Sequence, residues 1–202
     1  MNMNLTFNPD EEGDILNTTV RDSETGSIMY TVETPKCAEG TLTTTVTRQN
    51  QIDGSTRFAF RILWGGEKRA LDDASVVLDS RTLEEVPVRH VLESAPGSAT
   101  YGSVHVNDVE YRWKPKGTGS KVVLVNKATN RTVAESHSRI RSSFFRKPRD
   151  MSLEISETIS PAIDVLLLTF ILVWMERQRE RTKRYWSAAY DVANLPPLPV
   201  ED

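Results

Sequence analysis

The sequence predicts a mainly β fold, a closed antiparallel barrel of about twelve strands around one hydrophobic C-terminal helix. Three observations lead to this prediction: one short segment that is apolar on all sides, a long series of short β-branched segments separated by turns, and no second helical pattern of similar strength. The 202-residue chain is 38% hydrophobic and 26% charged, a composition typical of a folded globular protein.

The helix is predicted at about 161–184, and its first half is the apolar run 165–175, which has one polar member. These side chains point in every direction around a 3.6-residue repeat, and a helix of that kind must be enclosed. Eleven helical residues reach only about 16 Å, whereas a bilayer core is about 30 Å thick. A buried strand is the alternative for a short apolar run. Ser160 as N-cap and Pro161 at the first helical position favour the helix.

The preceding chain is rich in short strand-like segments bounded by turn residues such as Asp53-Gly54 and Asn107-Asp108. Regular spacing of this kind indicates a sandwich or barrel, and closing a barrel around the helix removes exposed sheet edges. The predicted strands are Ile15–Val20, Ile28–Glu33, Thr41–Gln49, Thr56–Trp64, Val76–Leu78, Arg89–Leu92, Thr100–Val106, Val109–Lys114, Val122–Asn126, Thr132–Ser136 and Ser152–Ile155.

The chain divides into one domain over residues 1–184 and a proline-rich tail over 185–202 that we expect to be disordered. Cys37 is the single cysteine and cannot form an internal disulfide. The N-terminal segment has neither a basic stretch nor an apolar run of the kind found in signal peptides. Both features predict an intracellular, cytoplasmic protein without a transmembrane anchor.

Six segments occur in a characteristic order: NTTVRDSETGSIMYTVETP (17–35), FRILW (60–64), VNDVEYRWK (106–114), TVAESH (132–137), LEI (153–155) and IDVLLLTFILVWMERQR (163–179). In this order they resemble the tubby C-terminal-like superfamily, and more closely an uncharacterised fungal family of unknown function within it that is abundant in mushroom-forming fungi. The resemblance covers about residues 5–183 and implies a barrel of about twelve strands around a C-terminal helix. By analogy with tubby-like proteins it also implies phosphoinositide binding, and it supplies no catalytic residues.

No constellation of residues in the sequence indicates an enzyme, a metal site or a cofactor. His90, His105 and His137 are far apart and fit no metal-ligand spacing. The segment 114–121 lacks the spacing of a phosphate loop and lies between two strands. The net charge of -3 does not favour nucleic-acid binding.

One basic segment is the main candidate for function, because Ser138–Arg149 carries five positive charges and no acid. Such a segment suits an anionic membrane surface with phosphoinositide-like headgroups, and two phenylalanines in its middle suit insertion at the interface. The alternative is a solvated loop whose phenylalanines turn inward. The candidate headgroup ligands are Arg139, Arg141, Arg146, Lys147 and Arg149, and the candidate interface residues are Phe144 and Phe145.

Charge and the tail leave a second class of function open. Residues 1–100 hold 9 Lys/Arg against 16 Asp/Glu, whereas residues 101–202 hold 16 against 12, so the two halves differ in sign. An acidic first half would be repelled by an anionic surface and would orient the molecule on it. Pro196, Pro197 and Pro199 form a tail motif that suits a WW- or SH3-type groove. The alternative function is therefore a protein-interaction or scaffold domain.

Overall fold

A computed structural model gives the fold of the chain. It describes residues 2–9, 14–35, 42–65, 70–93, 100–117, 121–138 and 150–193, and within these ranges it leaves the side chains of Pro9, Ala70 and 183–193 undescribed.

Twelve strands, one helical turn, one 3₁₀ helix and one long helix make up this part of the chain. The strands are short and rich in β-branched residues, and the long helix comes last. The elements are β1 (Met3–Pro9), β2 (Thr18–Asp22), β3 (Ile28–Glu33), β4 (Thr43–Gln49), β5 (Thr56–Gly65), β6 (Ala70–Val77), β7 (Glu85–Pro87), α1 (Val88–Val91), β8 (Gly102–Val106), β9 (Val109–Lys116), β10 (Lys121–Asn126), β11 (Thr132–His137), β12 (Met151–Ile155), the 3₁₀ helix (Glu157–Ala162) and α2 (Ile163–Ala193).

All twelve strands form one antiparallel sheet in the order β7-β6-β5-β4-β3-β2-β1-β12-β11-β10-β9-β8. Strands that are consecutive in sequence are neighbours, except β7 and β8, which are the two edge strands. In addition, β1 pairs with β12, where Leu5 lies opposite Leu153. This pairing joins the first strand to the last one before the helix. The prediction of a mainly β fold with one C-terminal helix is therefore confirmed.

Closure of the sheet into a barrel is not confirmed. The two edge strands are β7 and β8, and the described residues show no hydrogen-bonded ladder between them. The chain that follows the turn α1 forms one isolated antiparallel bridge to β8, between Glu93 and Ser103, on the side of β8 that does not pair with β9. A β-carbon on Gly102 would come within 2.8 Å of the Leu92 side chain, so side-chain packing brings this connection close to the edge of β8.

The core consists of the inward side chains of the strands and the first part of α2. Every residue from Leu166 to Val173 is fully buried, with 0% relative exposure. Phe170 packs against Phe7 of β1 and Trp113 of β9, with ring centroids 5.4 and 5.9 Å apart. The predicted all-round apolar surface of the helix is thus covered on all sides.

The helix also passes a test for membrane spans by length and composition, over Glu157–Thr182. The core helix of a globular protein passes the same test, because burial in protein and burial in lipid select similar residues. Here the strands themselves supply the apolar surroundings of Leu166–Val173.

Two buried tryptophans donate their indole N–H groups to the hydroxyls of buried threonines. Trp113 Nε1 donates a hydrogen bond to Thr169 Oγ1 at 3.1 Å, and Thr169 Oγ1 donates to the carbonyl oxygen of Val165 at 2.9 Å. Trp64 Nε1 donates to Thr44 Oγ1 at 2.7 Å. These bonds explain why threonines occur inside an apolar core, since an indole N–H buried without an acceptor is costly.

Three details of the predicted elements need correction. Arg89–Leu92 was predicted as a strand, but Val88–Val91 is a helical turn, because it follows Pro87 and carries Val88 into the core. Strands β1 and β7 were not predicted. The long helix begins at Ile163 after a 3₁₀ segment and continues to Ala193, whereas the sequence predicted about 161–184.

Candidate functional site

The sheet has two ends that differ in chemistry, and the helix passes from one to the other. We call the end where α2 begins the entry end, which holds the turns 23–27, 50–55, 78–84, 107–108 and 127–131. We call the end where α2 leaves the sheet the exit end, which holds the start of β10 and β12 and the end of β9 and β11. Because neighbouring strands are antiparallel, successive connections alternate between the two ends.

Asp164 is the centre of a charged network at the entry end. It lies in the first turn of α2 and accepts a hydrogen bond from the Tyr30 hydroxyl at 2.5 Å. Its Oδ1 lies 3.2 Å from Nη1 of Arg48, and its Oδ2 lies 3.5 Å from Nη2 of Arg57. A carboxylate at the start of a helix also interacts favourably with the helix dipole.

The strand register explains why this carboxylate is needed. Arg48 at the end of β4 lies directly opposite Arg57 at the start of β5. Like charges facing each other across two strands destabilise a sheet. Asp164 contacts both guanidinium groups and so offsets their repulsion, while Arg48 also lies over the Tyr30 ring at 5.7 Å from its centroid.

Tyr30 is fully buried, and its protonation state is fixed by this environment. Burial raises the pKa of the Tyr30 phenol well above its usual range, and the hydrogen bond to Asp164 raises that pKa further. The phenol therefore remains a proton donor to Asp164 throughout the neutral range, and it is not a candidate for acid–base chemistry.

The two arginines line a surface pocket of about 430 Å³, which we call the arginine pocket. Its other lining residues come from β3 and from the β4–β5 hairpin, and they are neutral. Ile52 at the tip of that hairpin is 96% exposed, more than either of the other large exposed hydrophobic residues of the described chain. The pocket is lined by Met29, Arg48, Gln49, Asn50, Gln51, Ile52, Ser55 and Arg57.

At the exit end, α2 brings basic side chains to the ends of β9, β10 and β11. Arg177 is buried and donates a hydrogen bond from Nη1 to the carbonyl oxygen of Lys121 at 2.8 Å. Lys116 and Lys121 lie 2.6 and 3.6 Å from the two carboxylate oxygens of Glu135. The hydrogen bond from Lys116 lowers the pKa of Glu135, so this carboxylate stays ionised down to a lower pH than usual.

The residues predicted for headgroup binding and membrane insertion lie outside the described residues. The structure does describe the residues that flank them: β11 ends at His137, β12 begins at Met151, and both are at the exit end. The proline motif also lies outside the described residues. These predicted residues are Arg139, Arg141, Phe144, Phe145, Arg146, Lys147 and Arg149, and Pro196, Pro197 and Pro199.

The arginine pocket was not predicted from the sequence. Its signal was present in the β4–β5 hairpin, where Arg48 and Arg57 flank the predicted Asp53-Gly54 turn at positions that pair across the strands. Nothing in the sequence predicts that Asp164 meets this hairpin, because Arg48 lies 116 residues earlier in the chain.

The described residues contain no group of three or more His, Cys, Asp or Glu side chains placed to share a metal ion. The histidines singled out in the sequence are separated in the fold. His105 is exposed on β8, and His137 on β11 lies 3.7 Å from Glu154 of β12.

Comparisons with known proteins identify a family but no activity. No curated protein matches the chain. A similar solved structure is an X-ray structure of a protein from Arabidopsis thaliana, with 12% identity and a TM-score of 0.41, covering 88% of this chain and 91% of that one. A model described as "Family of unknown function (DUF6593)" matches residues 13–181. This match spans most of the chain, which therefore belongs to the DUF6593 family.

Proposed function

We propose that this protein is a non-enzymatic intracellular module that binds anionic membrane surfaces, such as those rich in phosphoinositide-like headgroups. The binding segment is Ser138–Arg149, whose five basic residues contact headgroups while Phe144 and Phe145 enter the interface. The observation that carries the proposal is the place of the residues that flank the segment. Strand β11 ends and strand β12 begins at the exit end, where α2 leaves the sheet with Arg179 and Arg181.

The charge of the opposite end supports the same orientation. Exposed acidic residues occur in most of the turns at the entry end, including Glu24, Asp53, Asp79, Glu84 and Asp108. These turns hold five acidic residues against three basic ones, Arg81, Lys127 and Arg131, so an anionic surface weakly repels them while it attracts the basic residues of Ser138–Arg149. At about 1 kcal/mol for each basic residue near the surface, five charges contribute about 5 kcal/mol, enough for reversible peripheral binding.

Flotation with liposomes tests this function directly. Wild-type protein is expected to float with vesicles containing phosphatidylserine and phosphatidylinositol bisphosphate and to remain at the bottom with neutral vesicles. Arg146→Glu/Arg149→Glu changes the net charge by four units, worth about 4 kcal/mol near the surface, so its partitioning should fall by about a thousandfold. Phe144→Ser/Phe145→Ser is measured separately after its folding has been checked by circular dichroism.

A matched control distinguishes the proposed surface from a general effect of net charge. Arg81→Glu/Arg131→Glu makes the same change at two exposed positions of the entry end. This control should bind like the wild type. Equal loss in both double variants, or no loss in the first, would remove Ser138–Arg149 as the binding segment.

We also propose that the DUF6593 family is a fungal branch of the tubby C-terminal-like superfamily and that its sheet closes into a barrel. Support comes from the order of elements, twelve antiparallel strands followed by an enclosed helix. Amide hydrogen exchange checks closure. The Ser103 amide already donates a hydrogen bond to the carbonyl oxygen of Glu93, so the informative amide of β8 is that of His105, two residues further along the same side of the strand. Hydrogen bonds between β7 and β8 would protect the His105 amide, and its rapid exchange would indicate an open seam.

The second candidate function is a protein-interaction or scaffold role. Its specific support is the length of α2: 31 residues extend about 46 Å, and the fully buried part ends at Val173. The rest of the helix, to Ala193, runs away from the entry end, and the proline motif follows it in the sequence. Titration of purified WW and SH3 domains with the wild type and with Pro197→Ala/Pro199→Ala tests this role. Binding that is equal in the two proteins, or absent from both, would exclude the tail motif.

A further inference from the structure

The arginine pocket has a chemistry that the proposed membrane surface does not use. It lies at the entry end, whereas Ser138 and Asp150, which flank the basic segment, belong to the exit end. A molecule bound to a membrane by its exit end keeps this pocket in water. Ligand binding at the pocket is therefore independent of the proposed function.

The two arginines differ in how firmly they are held. Arg48 is fixed between the Tyr30 ring and Asp164 Oδ1, and its side chain is 29% exposed. Arg57 has a longer contact of 3.5 Å with Asp164 Oδ2, and its side chain is 64% exposed. A guanidinium carries several N–H donors in a planar fork that matches a carboxylate. One contact with Asp164 leaves further donors on each arginine for a second anion.

The charges around the pocket indicate the charge of that anion. Arg48 and Arg57 contribute +2 and Asp164 contributes -1, so the network carries a net charge of +1. A monoanion neutralises this charge, whereas a phosphate monoester at neutral pH carries close to two negative charges. The nearby hairpin acid Asp53 is held ionised by hydrogen bonds from Ser55 and adds to the repulsion of a second negative charge.

Two of the residues that line the pocket with the arginines, Met29 and Ile52, are apolar. Met29 is buried, and Ile52 is almost fully exposed at the rim, where an apolar group of a ligand would cover it. An isoleucine that exposes 96% of its surface gains stability from such a contact. The volume of about 430 Å³ falls in the lower part of the range of small-ligand pockets.

We propose that the arginine pocket binds a monocarboxylate that is attached to a short apolar group. The carboxylate contacts Arg57 and Arg48, and the apolar group lies over Ile52 and Met29. This chemistry is shared by small organic acids and by the C-terminal residue of a polypeptide that ends in an aliphatic side chain.

Titrations followed by NMR of the ¹⁵N-labelled full chain test the site. The probes are acetate, butyrate, hexanoate and inorganic phosphate at equal ionic strength. Hexanoate should shift the amide signals of Met29, Ile52 and Ser55 in a saturable way. Affinity should rise from acetate to hexanoate, by at most about fourfold for each added methylene. Phosphate should bind more weakly than hexanoate.

Two variants and a control assign the effect to the pocket. Arg57→Gln should weaken hexanoate binding by about tenfold, because it removes a charged hydrogen-bond donor from the carboxylate. Ile52→Ser should leave acetate binding unchanged and abolish the gain with chain length. Arg131→Gln, at an exposed position of another turn at the entry end, should bind like the wild type.

Peptide probes identify the source of the carboxylate. A short peptide ending in leucine is compared with its C-terminal amide and with hexanoate. Tighter binding of the free-acid peptide than of hexanoate assigns the site to polypeptide C-termini, and the reverse order assigns it to small acids. Three outcomes would overturn the proposal: no saturable shift with any carboxylate, unchanged binding by Arg57→Gln, or tighter binding of phosphate than of hexanoate.

Discussion

At the scale of single residues, the start of α2 is held to the sheet by groups that satisfy one another. Asp164 accepts the Tyr30 hydroxyl and neutralises part of the charge of an arginine pair that would otherwise be repulsive. Burial and this hydrogen bond together raise the pKa of Tyr30. The Tyr30–Asp164 contact therefore links the stability of the fold to pH in the alkaline range.

Tyr30→Phe should change the pH dependence of stability above pH about 10, the ordinary pKa of a tyrosine. There the unfolded state loses the phenolic proton and the native state keeps it, so the wild type becomes less stable as pH rises. Relative to Tyr30→Phe, the wild type should lose up to about 1.4 kcal/mol of unfolding free energy per pH unit. Urea unfolding between pH 8 and 11 measures this difference, and parallel curves for the two proteins would contradict the argument.

Thr169 provides a second prediction at this scale. Thr169→Val keeps the shape of the side chain but leaves the buried Trp113 Nε1 without its acceptor, which should cost about 1–3 kcal/mol. Thr169→Ser keeps the hydroxyl and should cost less. Unfolding free energies in urea, with an unchanged dependence on denaturant, provide the measurement. Equal stability of Thr169→Val and the wild type would show that this hydrogen bond contributes nothing.

At the scale of elements, the first half of α2 is the core around which the strands are arranged. Leu166 to Val173 have no exposed surface, and strands from β1 to β12 supply the side chains that cover them. A charge placed in this segment has no partner and no route to water. The exposed Arg181, in the same helix, provides a comparison in solvent.

Leu168→Asp should therefore abolish soluble folding. The free energy needed to bury an unpaired carboxylate is as large as the total unfolding free energy of a typical domain, which is about 5–15 kcal/mol. Arg181→Asp should fold normally. Soluble yield and circular dichroism of the two variants make the comparison. A folded and soluble Leu168→Asp protein would contradict the enclosed position of the helix.

The elements also show what could be predicted from the sequence. The all-round apolar pattern of 165–175 requires enclosure and is too short for a bilayer, so its burial in protein was predictable, and β3 was predicted with the bounds it has. Local patterns did not predict α1 or β7, because Pro87 and the packing of Val88 decide those few residues. The arginine pocket depends on a contact between Arg48 and Asp164 that only the sheet topology creates.

At the scale of the whole molecule, the difference in charge between the two halves of the sequence lies across the sheet. Strands β1–β7 of the acidic first half are contiguous in the sheet, and so are strands β8–β12 of the basic second half. The proposed polarity along the axis of the helix therefore rests on the basic residues of Ser138–Arg149, whose flanking strands meet the emerging helix at the exit end.

Binding that depends on this polarity should be sensitive to salt. Electrostatic screening shortens from about 8 Å at physiological ionic strength to about 3 Å at 1 M. Flotation with anionic vesicles should therefore decrease strongly between 0.05 and about 1 M sodium chloride. Binding that is constant across this series would indicate an apolar mode of attachment instead.

The orientation of the bound molecule tests the proposed function most directly. Nitroxide labels are placed, in a Cys37→Ser background, at Asp150 of the exit end and at Ile52 of the entry end, both exposed. On anionic vesicles, the label at 150 should gain contact with membrane-dissolved oxygen and lose contact with a water-soluble nickel complex. The label at 52 should remain in water. Membrane contact by the label at 52, or by neither label in vesicle-bound protein, would contradict binding through the exit end.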